Sequence, residues 1–377
     1  MDAIAKAVCE TPLVAREAAL GAEFGNWFGC TLPERFAPLA SEYRFARESA
    51  ALIDKNYRAF IYASGPDRLR YLNAVLTNDV RETASGRGVP SLLLNPQGHI
   101  IAELEVYAVG DRFLVVSYQM IRERLIEALD KYIIMDDVTL EDATQSLAVL
   151  GVEGPRSAEI LRGVAGVELD SLAELGSVEA RVAAPQRNDL SGAIPVRVIR
   201  RSPGAPGFEI FVARDRVGAL WDLLLDAVRA VGGGPIGYAA LSALRLEAGI
   251  PWFGYDFDES VIPHEAGLEN SHINYSKGCY TGQEIVERVR SRGHVNRVRV
   301  GVEFSGDISP ERGAKLSAGG KEVGFVTRVA FSPAAGHAIG MAYLRRDVSA
   351  PGASLEYSGG TARVIALPLV RQPLPLE

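Results

Sequence analysis

Alternating apolar and polar positions dominate the first 150 residues of the chain, and helical stretches interrupt them. Four segments have the alternation or short apolar run that is typical of strands: 59–62, 91–94, 100–107 and 112–117. Two segments place apolar residues at helical spacing: 69–76 and 120–132. Because the strands follow one another through short turns such as Asn95–Gly98, we predict antiparallel sheet with interspersed helices. This is the α+β class rather than a doubly wound parallel sheet.

A similar pattern returns after residue 146. The predicted strands are 147–152, 195–200 and 208–212. One predicted helix begins after Gly154-Pro155, and two more span 215–231 and 236–248. Gly232–Pro235 forms a break between the last two helices. Residues 161–192 are poor in aromatic side chains, and their layout is left open. We interpret the two halves as related ferredoxin-like α+β units.

Beyond Gly293 the chain becomes a succession of short strand-like runs separated by Gly and Pro: 298–304, 314–316, 322–331, 338–343 and 362–367. A series of short strands of this kind is typical of a small barrel or sandwich of about 80 residues. The predicted domains are therefore 1–150 and 151–294, both α+β, and a C-terminal β-barrel over 295–377.

Composition narrows the functional classes. Hydrophobic residues make up 47% of the 377 residues and charged residues 23%, which is ordinary for a globular protein. No apolar run approaches the roughly 18 residues that a membrane span requires, and no signal peptide is evident, so a cytoplasmic location is the default expectation. Cys9, Cys30 and Cys279 are far apart in sequence. Their spacing argues against a zinc site, a disulfide framework or an iron–sulfur cluster bound by this chain, and the five scattered histidines suggest no other metal.

A run of basic residues follows residue 287, with six basic positions in twelve residues and no interleaved aromatics. Such a run is more typical of a solvated helix face than of a nucleic-acid site. The net charge of −7 gives no general reason to expect nucleic acid either. No direct nucleic-acid partner is therefore expected.

The most informative motif is Lys-Gly-Cys-Tyr-Thr-Gly-Gln-Glu at 277–284. Thr281 and Glu284 have the spacing of a capping box, apolar residues follow at helical spacing, and Gly293 supplies a stop. We predict a helix of about 10 residues with Cys279 just outside its N-terminus, where the helix dipole and Lys277 favour a thiolate. The alternative is that Cys279 is a small buried filler in a tight turn.

This octapeptide resembles the signature of the folate-binding YgfZ family, whose relatives include the T-protein (aminomethyltransferase) of the glycine cleavage system. The resemblance extends from about residue 11 to 370 through four further segments: Thr11–Leu13, Leu72–Val80, Arg245–Gly249 and Gly324–Thr327. It implies three domains in a ring, with tetrahydrofolate or a related folate held in a central channel.

A folate offers features that particular side chains can recognise. A carboxylate can accept the adjacent amide N–H and amino groups of the pterin, and Glu247, near the end of an apolar helix beside Arg245, is the first candidate. Glu209 is the second. The alternative for Glu247 is a surface residue paired with Arg245. Asn78 lies in a polar cluster suited to a turn or a ligand contact. The basic candidates for the folate tail are not ranked: Arg201, Lys277 and Arg288.

One strand departs from the T-protein pattern. T-proteins have Ile-Ile-Asp-Asp where this chain has Ile-Ile-Ala102-Glu103. Glu103 is one methylene longer than the aspartate that it replaces, and an error of about 1 Å in a catalytic group can cost roughly 100-fold in rate. Glu103 is a candidate catalytic carboxylate. The alternative interpretation is that Glu103 is a solvent-facing side chain. The departure argues against glycine-cleavage chemistry.

The leading hypothesis from the sequence is a YgfZ-type protein that uses tetrahydrofolate while supporting the maturation or repair of iron–sulfur enzymes, some of which modify tRNA. Lys277 and Cys279 would form its functional motif, and its protein partners would be transient iron–sulfur proteins. The alternative is a tetrahydrofolate-dependent aminomethyl or methyl transferase or demethylase acting on a small amine or related substrate. A third hypothesis is a scaffold that has lost its ligand. The sequence leaves open whether the protein is an enzyme.

Overall fold

The computed structural model describes residues 9–183, 192–201, 205–306 and 308–369. The chain divides into two units built from interleaved segments. The first unit comprises the chain up to Asn73, Asp79–Pro90 and Leu104–Leu241, and the second comprises Ala74–Asn78, Ser91–Glu103 and the chain from Ser242 onward. The division into three domains remains a prediction. Among the residues that the structure describes, none of the helices combines the length and apolar character that crossing a membrane requires.

Up to residue 247 the strands are β1 Cys9–Glu10, β2 Glu23–Trp27, β3 Cys30–Arg35, β4 Ala51–Asp54, β5 Arg58–Ser64, β6 Val89–Leu94, β7 Ile100–Val109, β8 Arg112–Tyr118, β9 Thr139–Asp142, β10 Leu147–Glu153, β11 Ser177–Val182, β12 Ile194–Arg200, β13 Gly207–Ala213 and β14 Gly234–Pro235. The helices are α1 Val14–Ala19, α2 Leu39–Glu48, α3 Arg68–Val75, α4 Arg122–Asp130, α5 Ser157–Ala165, α6 Val217–Ala230 and α7 Tyr238–Glu247. Short 3₁₀ turns cover Val80–Ser85, Gln119–Ile121 and Arg214–Arg216.

The first unit is organised around antiparallel sheets. One sheet has the order β11-β12-β13-β10-β4-β14, and within this unit β7, β8, β5 and β9 are neighbours in that order. A small sheet, β1-β3-β2, precedes them. Helices α5 and α6 pack on the six-stranded sheet, and the buried face of α6 includes Leu220, Trp221, Leu224 and Val228. This spacing is the helical periodicity that the sequence shows for 215–231.

The second unit contains a hairpin, three short helical segments and a barrel. The ends of β6 and β7 that belong to it meet through the turn at Asn95–Gly98, where the Asn95 amide donates to the His99 carbonyl over 3.0 Å. The helices are α8 Pro263–Ala266, α9 Glu269–His272 and α10 Gln283–Arg292. The closed barrel has the order β15-β18-β17-β16-β19-β20, with bounds β15 Arg297–Ser305, β16 Lys315–Ala318, β17 Lys321–Ser332, β18 His337–Arg345, β19 Ser354–Tyr357 and β20 Gly360–Ile365.

A buried ion pair joins the barrel to the loop after α7. Arg328 donates to Asp256 over 2.7 Å, and Thr327 donates to the same carboxylate over 2.9 Å. Arg328 also donates to the Ser242 hydroxyl on α7 over 3.1 Å. Because a buried charge is costly without partners, these contacts fix the barrel against the part of α7 from Ser242 onward, within this unit.

The α+β class and the C-terminal barrel are confirmed, and so are the predicted strands and helices that lie in described residues. The predicted helix 120–132 is shorter, because Gln119–Ile121 forms a 3₁₀ turn and α4 ends at Asp130. Strand β19 and the small sheet β1-β3-β2 were not predicted. Part of the segment left open, 184–191, lies outside the described residues.

Two buried carboxyl groups lie close together in the first unit. Glu17 on α1 and Asp54 on β4 are 0% and 2% exposed, respectively. Thr11 donates its hydroxyl to Asp54, and both the amide N–H and the side-chain amide of Asn56 donate to it as well. Burial, and next the nearby Asp54 carboxylate, raise the pKa of Glu17 to about 10, so Glu17 is protonated at neutral pH.

We predict that Glu17→Gln makes the protein relatively more stable than wild type as the pH rises. A carboxyl group whose folded-state pKa is raised favours folding fully below its unfolded value of 4.5 and loses that contribution as the pH climbs towards about 10. The loss is up to about 1.4 kcal/mol per pH unit. Thermal unfolding at pH 6 and pH 9 should show a larger Tm advantage of the variant at pH 9. The exposed Glu48→Gln is the control, and equal differences at both pH values would contradict the assignment.

Candidate functional site

The first unit contains a cluster of buried charges centred on Glu209 of β13, which is 1% exposed. Arg58 Nη2 donates to both carboxylate oxygens of Glu209, over 3.2 and 3.3 Å. Lys55 Nζ donates to Glu209 over 3.1 Å and to Glu153 over 2.7 Å. The carboxylate of Glu209 therefore lies between two cations, in a place where an isolated charge would be strongly disfavoured.

Strand pairing explains how Lys55 reaches this position. Gly151 on β10 is the register partner of Glu209 on β13. A Cβ atom at Gly151 would lie 2.6 Å from Lys55 Cε, so a side chain there would collide with the lysine stem. Glycine at this position leaves the space through which Lys55 reaches both carboxylates.

Arg201 and Glu105 extend the cluster. Arg201 Nη2 lies 2.7 Å from Glu105 Oε1, and Arg58 Nη2 lies 3.6 Å from the same oxygen. The Tyr107 hydroxyl donates to the second oxygen of Glu105 over 2.7 Å. With Lys55, Arg58 and Arg201 facing Glu105, Glu153 and Glu209, three positive and three negative charges balance. We call these six residues the buried ion cluster.

The electrostatics of the buried ion cluster keep Glu209 ionised. Burial alone would raise the pKa of Glu209, but Arg58, Lys55 and Arg201 together hold that pKa well below its usual range. Burial would lower the pKa of Lys55, but Glu153 and Glu209 raise it. Both partners are therefore charged at neutral pH.

Aromatic rings flank Arg58. Its guanidinium carbon lies 5.5 Å from the Tyr57 ring centroid and 5.8 Å from that of Tyr118. The Phe28 ring stacks on Tyr57 at 4.3 Å, and the Tyr238 hydroxyl donates to the Asp54 carbonyl over 2.8 Å. Tyr57 and Tyr118 also stack on each other at 5.6 Å, so the guanidinium group of Arg58 lies in an aromatic environment that favours a cation.

The cluster also has unused donors. Within the described residues, the buried Arg58 Nε and Arg201 Nε have no hydrogen-bond acceptor. A buried donor without an acceptor costs free energy, and a ligand with carbonyl or carboxylate oxygens would relieve that cost. The residues present therefore fit a folate, which carries both kinds of oxygen.

Glu247 and Arg245 lie in the second unit, at the end of α7. Glu247 is 0% exposed and accepts a 2.6 Å hydrogen bond from the Ser332 hydroxyl on the barrel. Arg245 donates to the Pro251 carbonyl over 2.7 Å and lies over the Trp252 ring at 5.1 Å. The alternative in which Glu247 is a surface residue is therefore wrong.

Glu103 belongs to a polar array in the second unit. His272 Nε2 lies 3.3 Å from Glu103 Oε1, and the other ring nitrogen, Nδ1, lies 2.7 Å from the exposed Ser271 hydroxyl. Thr77 donates its hydroxyl to the His272 carbonyl over 2.7 Å, and Asn78 Nδ2 lies 3.4 Å from the Ser271 carbonyl. Residues 271 and 272 are thus held from both sides, and Glu103 is not merely a solvent-facing side chain.

The Lys-Gly-Cys motif forms an exposed turn before α10. Cys279 is a free, exposed cysteine, so the alternative of a small buried filler is wrong. Lys277 is 7% exposed, and its ammonium group donates to the Leu76 carbonyl just beyond the end of α3. The Tyr280 ring lies 5.2 Å from the same ammonium group. Lys277 therefore anchors the turn that presents Cys279.

The predicted helix after this motif is confirmed over Gln283–Arg292, with Gly293 as its C-cap, but the predicted capping box is wrong. The N-cap is Gly282, which has φ +81°, and no side chain caps the helix. A Cβ atom at Gly282 would lie 2.6 Å from the Asn95 carbonyl oxygen. This close approach, rather than capping by Thr281, determines where the helix begins.

Several residues of these arrangements were not predicted as site residues: Lys55, Arg58, Glu105, Glu153, Ser271 and His272. Strand alternation alone places Glu105 on the polar face of β7, which is the one signal that the sequence offers for it. Within residues 9–183, 192–201, 205–306 and 308–369, no group of three or more His, Cys, Asp or Glu side chains is arranged to hold a metal ion.

Known proteins are similar to this chain in both sequence and fold. Residues 13–273 match the GCVT N-terminal domain family, and residues 297–374 match the glycine cleavage T-protein C-terminal barrel domain. The aminomethyltransferase of Rubrobacter xylanophilus is 30% identical over 334 residues, covering 89% of this chain and 86% of that protein. The aminomethyltransferase of Herpetosiphon aurantiacus is 30% identical over 352 residues, covering 92% and 93%.

A solved structure agrees with these relatives. The glycine cleavage system aminomethyltransferase T from Bartonella henselae superposes with a TM-score of 0.85 at 25% identity, covering 97% of this chain and 99% of that one. This similarity confirms the T-protein-like fold. From its two domain matches and its full-length relatives, the chain belongs to the glycine cleavage T-protein family.

Proposed function

We propose that this protein is a tetrahydrofolate-dependent transferase that moves an aminomethyl or methyl group from a small amine or related substrate. Relatives named aminomethyltransferases, 30% identical over most of both chains, support this class of reaction. The observation that carries the proposal is the ionised, buried carboxylate of Glu209 beside two unused arginine donors. Among the hypotheses from the sequence, the relatives favour this one over the maturation factor.

The buried ion cluster is the proposed folate contact. Glu209 would accept pterin N–H groups, while Arg58 and Arg201 would donate their unused Nε–H groups to ligand oxygens. When bound, the folate supplies the carrier atom for the one-carbon group. Glu247 is the alternative proposed carboxylate for the pterin, in place of Glu209, and its contact with Ser332 holds the end of α7 on which it lies. Lys277 is better suited to positioning, since its ammonium group contacts Leu76.

Glu103 is the proposed acid–base group. Moving a one-carbon group away from an amine requires a proton to be delivered to or removed from the nitrogen, and a positioned carboxylate can do this. His272 Nε2 faces Glu103, and His272 Nδ1 faces the exposed Ser271 hydroxyl, so a proton at Glu103 has a hydrogen-bonded path towards solvent. On this strand Ala102 offers no carboxylate, and Glu105 is paired with Arg201 in the buried ion cluster, which leaves Glu103 as the acid–base candidate.

We predict that Glu103→Gln lowers kcat by about 100-fold or more and changes KM only a few-fold, because general acid–base catalysis typically contributes 10²–10⁴-fold. The assay incubates the protein with tetrahydrofolate and a panel of N-methylated amino acids and measures the folate one-carbon adduct. The control is Glu284→Gln, an exposed carboxylate in the first turn of α10. Wild-type turnover by Glu103→Gln would remove Glu103 from the mechanism. No turnover by the wild type with any amine would overturn the transferase proposal.

A second candidate function rests on the exposed Cys279. The YgfZ-type hypothesis, in which the protein supports iron–sulfur enzymes through transient contacts, needs an accessible functional thiol, and Cys279 is free and exposed. Lys277 is anchored immediately before it, so the turn is held in place. Ala102 at a position where T-proteins have a carboxylate favours the same hypothesis.

For this second candidate we predict that Cys279→Ala abolishes rescue of a deletion strain while leaving thermal unfolding unchanged, because an exposed side chain contributes little to stability. The readout is the activity of iron–sulfur enzymes in the rescued cells. Ser276→Ala, in the same turn, is the matched control and should rescue fully. Full rescue by Cys279→Ala would contradict a role for this thiol.

A further inference from the structure

Two cysteines that are far apart in sequence face each other in the small sheet of the first unit. Cys9 on β1 and Cys30 on β3 are register partners in a parallel strand pair, and the Cys9 amide donates to the Gly29 carbonyl over 3.1 Å. Neighbouring strands lie about 4.7–4.9 Å apart, within the Cα separation that a disulfide spans. Both side chains leave the same face of the sheet, since opposite residues of a pair do so.

The two thiols differ in access. Cys9 is half-buried on a two-residue edge strand, whereas Cys30 is 1% exposed. The thiols contact different backbone carbonyls: Cys9 Sγ donates to Glu10 O and Cys30 Sγ to Phe28 O, each over 3.8 Å. Burial, and next the neighbouring Cys9 thiol, raise the pKa of Cys30, so Cys30 stays protonated while both thiols are reduced. This asymmetry matches an attacking thiol at Cys9 and a resolving thiol at Cys30.

We propose that Cys9 and Cys30 form a thiol–disulfide exchange site that reacts with low-molecular-weight disulfides such as glutathione disulfide. The Cys9 thiolate attacks one sulfur of the reagent, a mixed disulfide forms at Cys9, and the first glutathione leaves as a thiolate that takes up a proton. Cys30 then loses its proton and attacks the Cys9 sulfur. The bond to the second glutathione breaks, and that glutathione leaves with a proton. Two protein thiols are oxidised and one reagent disulfide is reduced to two thiols.

The crosslink would affect more than the two strands. Cys30 follows directly on the β2–β3 turn, where Phe28 and Gly29 have φ angles of +55° and +73°. The Phe28 ring stacks on Tyr57 at 4.3 Å, and Tyr57 flanks Arg58 of the buried ion cluster. A disulfide to Cys9 therefore ties the first described strand to the turn that holds this aromatic group.

The test uses the full-length protein carrying Cys279→Ser, so that only this pair can react. After equilibration with glutathione disulfide and acid quenching, remaining thiols are alkylated and the intact mass is measured. We expect a product that has lost two hydrogens, carries no alkyl group and no glutathione, and reverts with dithiothreitol. Adding Cys30→Ser should instead trap a stable glutathione adduct at Cys9. Adding Cys9→Ser should leave Cys30 reduced, because that thiol is buried.

Two results would overturn the proposal. One is a fully reduced pair in the Cys279→Ser protein under glutathione disulfide, and the other is a glutathione adduct that persists at Cys9 although Cys30 is present. The oxidised protein should also unfold at a higher temperature than the reduced protein, and the Cys9→Ser variant should show no such dependence on reductant. Neither result depends on folate, so this inference and the proposed function fail separately.

Discussion

The mutual neutralisation of charges in the buried ion cluster is the constraint on which the first unit depends. A single buried carboxylate would be protonated or would destabilise the fold, and removing one partner of a buried pair typically costs about 3–5 kcal/mol. Here Glu209 keeps its charge because Lys55 and Arg58 contact it and Arg201 lies nearby. The sheet register that places Gly151 beside Glu209 makes room for Lys55. Backbone pairing, glycine placement and charge balance thus support one another.

A buried ion network often stabilises a fold no more than apolar packing of equal size would. Its value lies in what it can recognise. Two arginine Nε–H groups lack acceptors within the described residues, and aromatic rings lie next to Arg58. Buried donors normally have a partner, and the folate proposed above would supply oxygens for both of these arginine N–H groups.

The sequence predicts many of the helices and strands because the spacing of apolar residues shows which side chains of an element are buried. Helix α6 buries the residues that recur at helical spacing, and the barrel strands follow the Gly- and Pro-punctuated runs after residue 295. The short strands β1 to β3 escaped prediction because strands of two to six residues, one with Pro33, carry little periodic signal. The start of α10 was predicted wrongly because Gly282 adopts a left-handed conformation against the Asn95 carbonyl, and a capping-box pattern in the sequence does not reveal such a conformation.

The candidate sites were predictable only in part, for a different reason. The sequence offers Glu209, Arg201, Glu103 and Cys279 as candidates, but their partners come from distant strands and helices that only tertiary folding brings together. No sequence motif marks Lys55 and Arg58 as buried charges, and His272 has no neighbour in sequence that suggests a link to Glu103. Cys9 and Cys30 likewise become neighbours only through the pairing of β1 with β3.

The central claim is that the buried ion cluster holds a reduced folate, and calorimetric titration with tetrahydrofolate tests it most directly. Wild type and Arg201→Gln would be compared at the same pH, with Arg197→Gln on the neighbouring stretch of β12 as the control. We predict saturable one-to-one binding by wild type and by Arg197→Gln, weakened at least tenfold, or about 1.4 kcal/mol, in Arg201→Gln. Absence of saturable binding by wild type, or equal affinity in all three proteins, would contradict it.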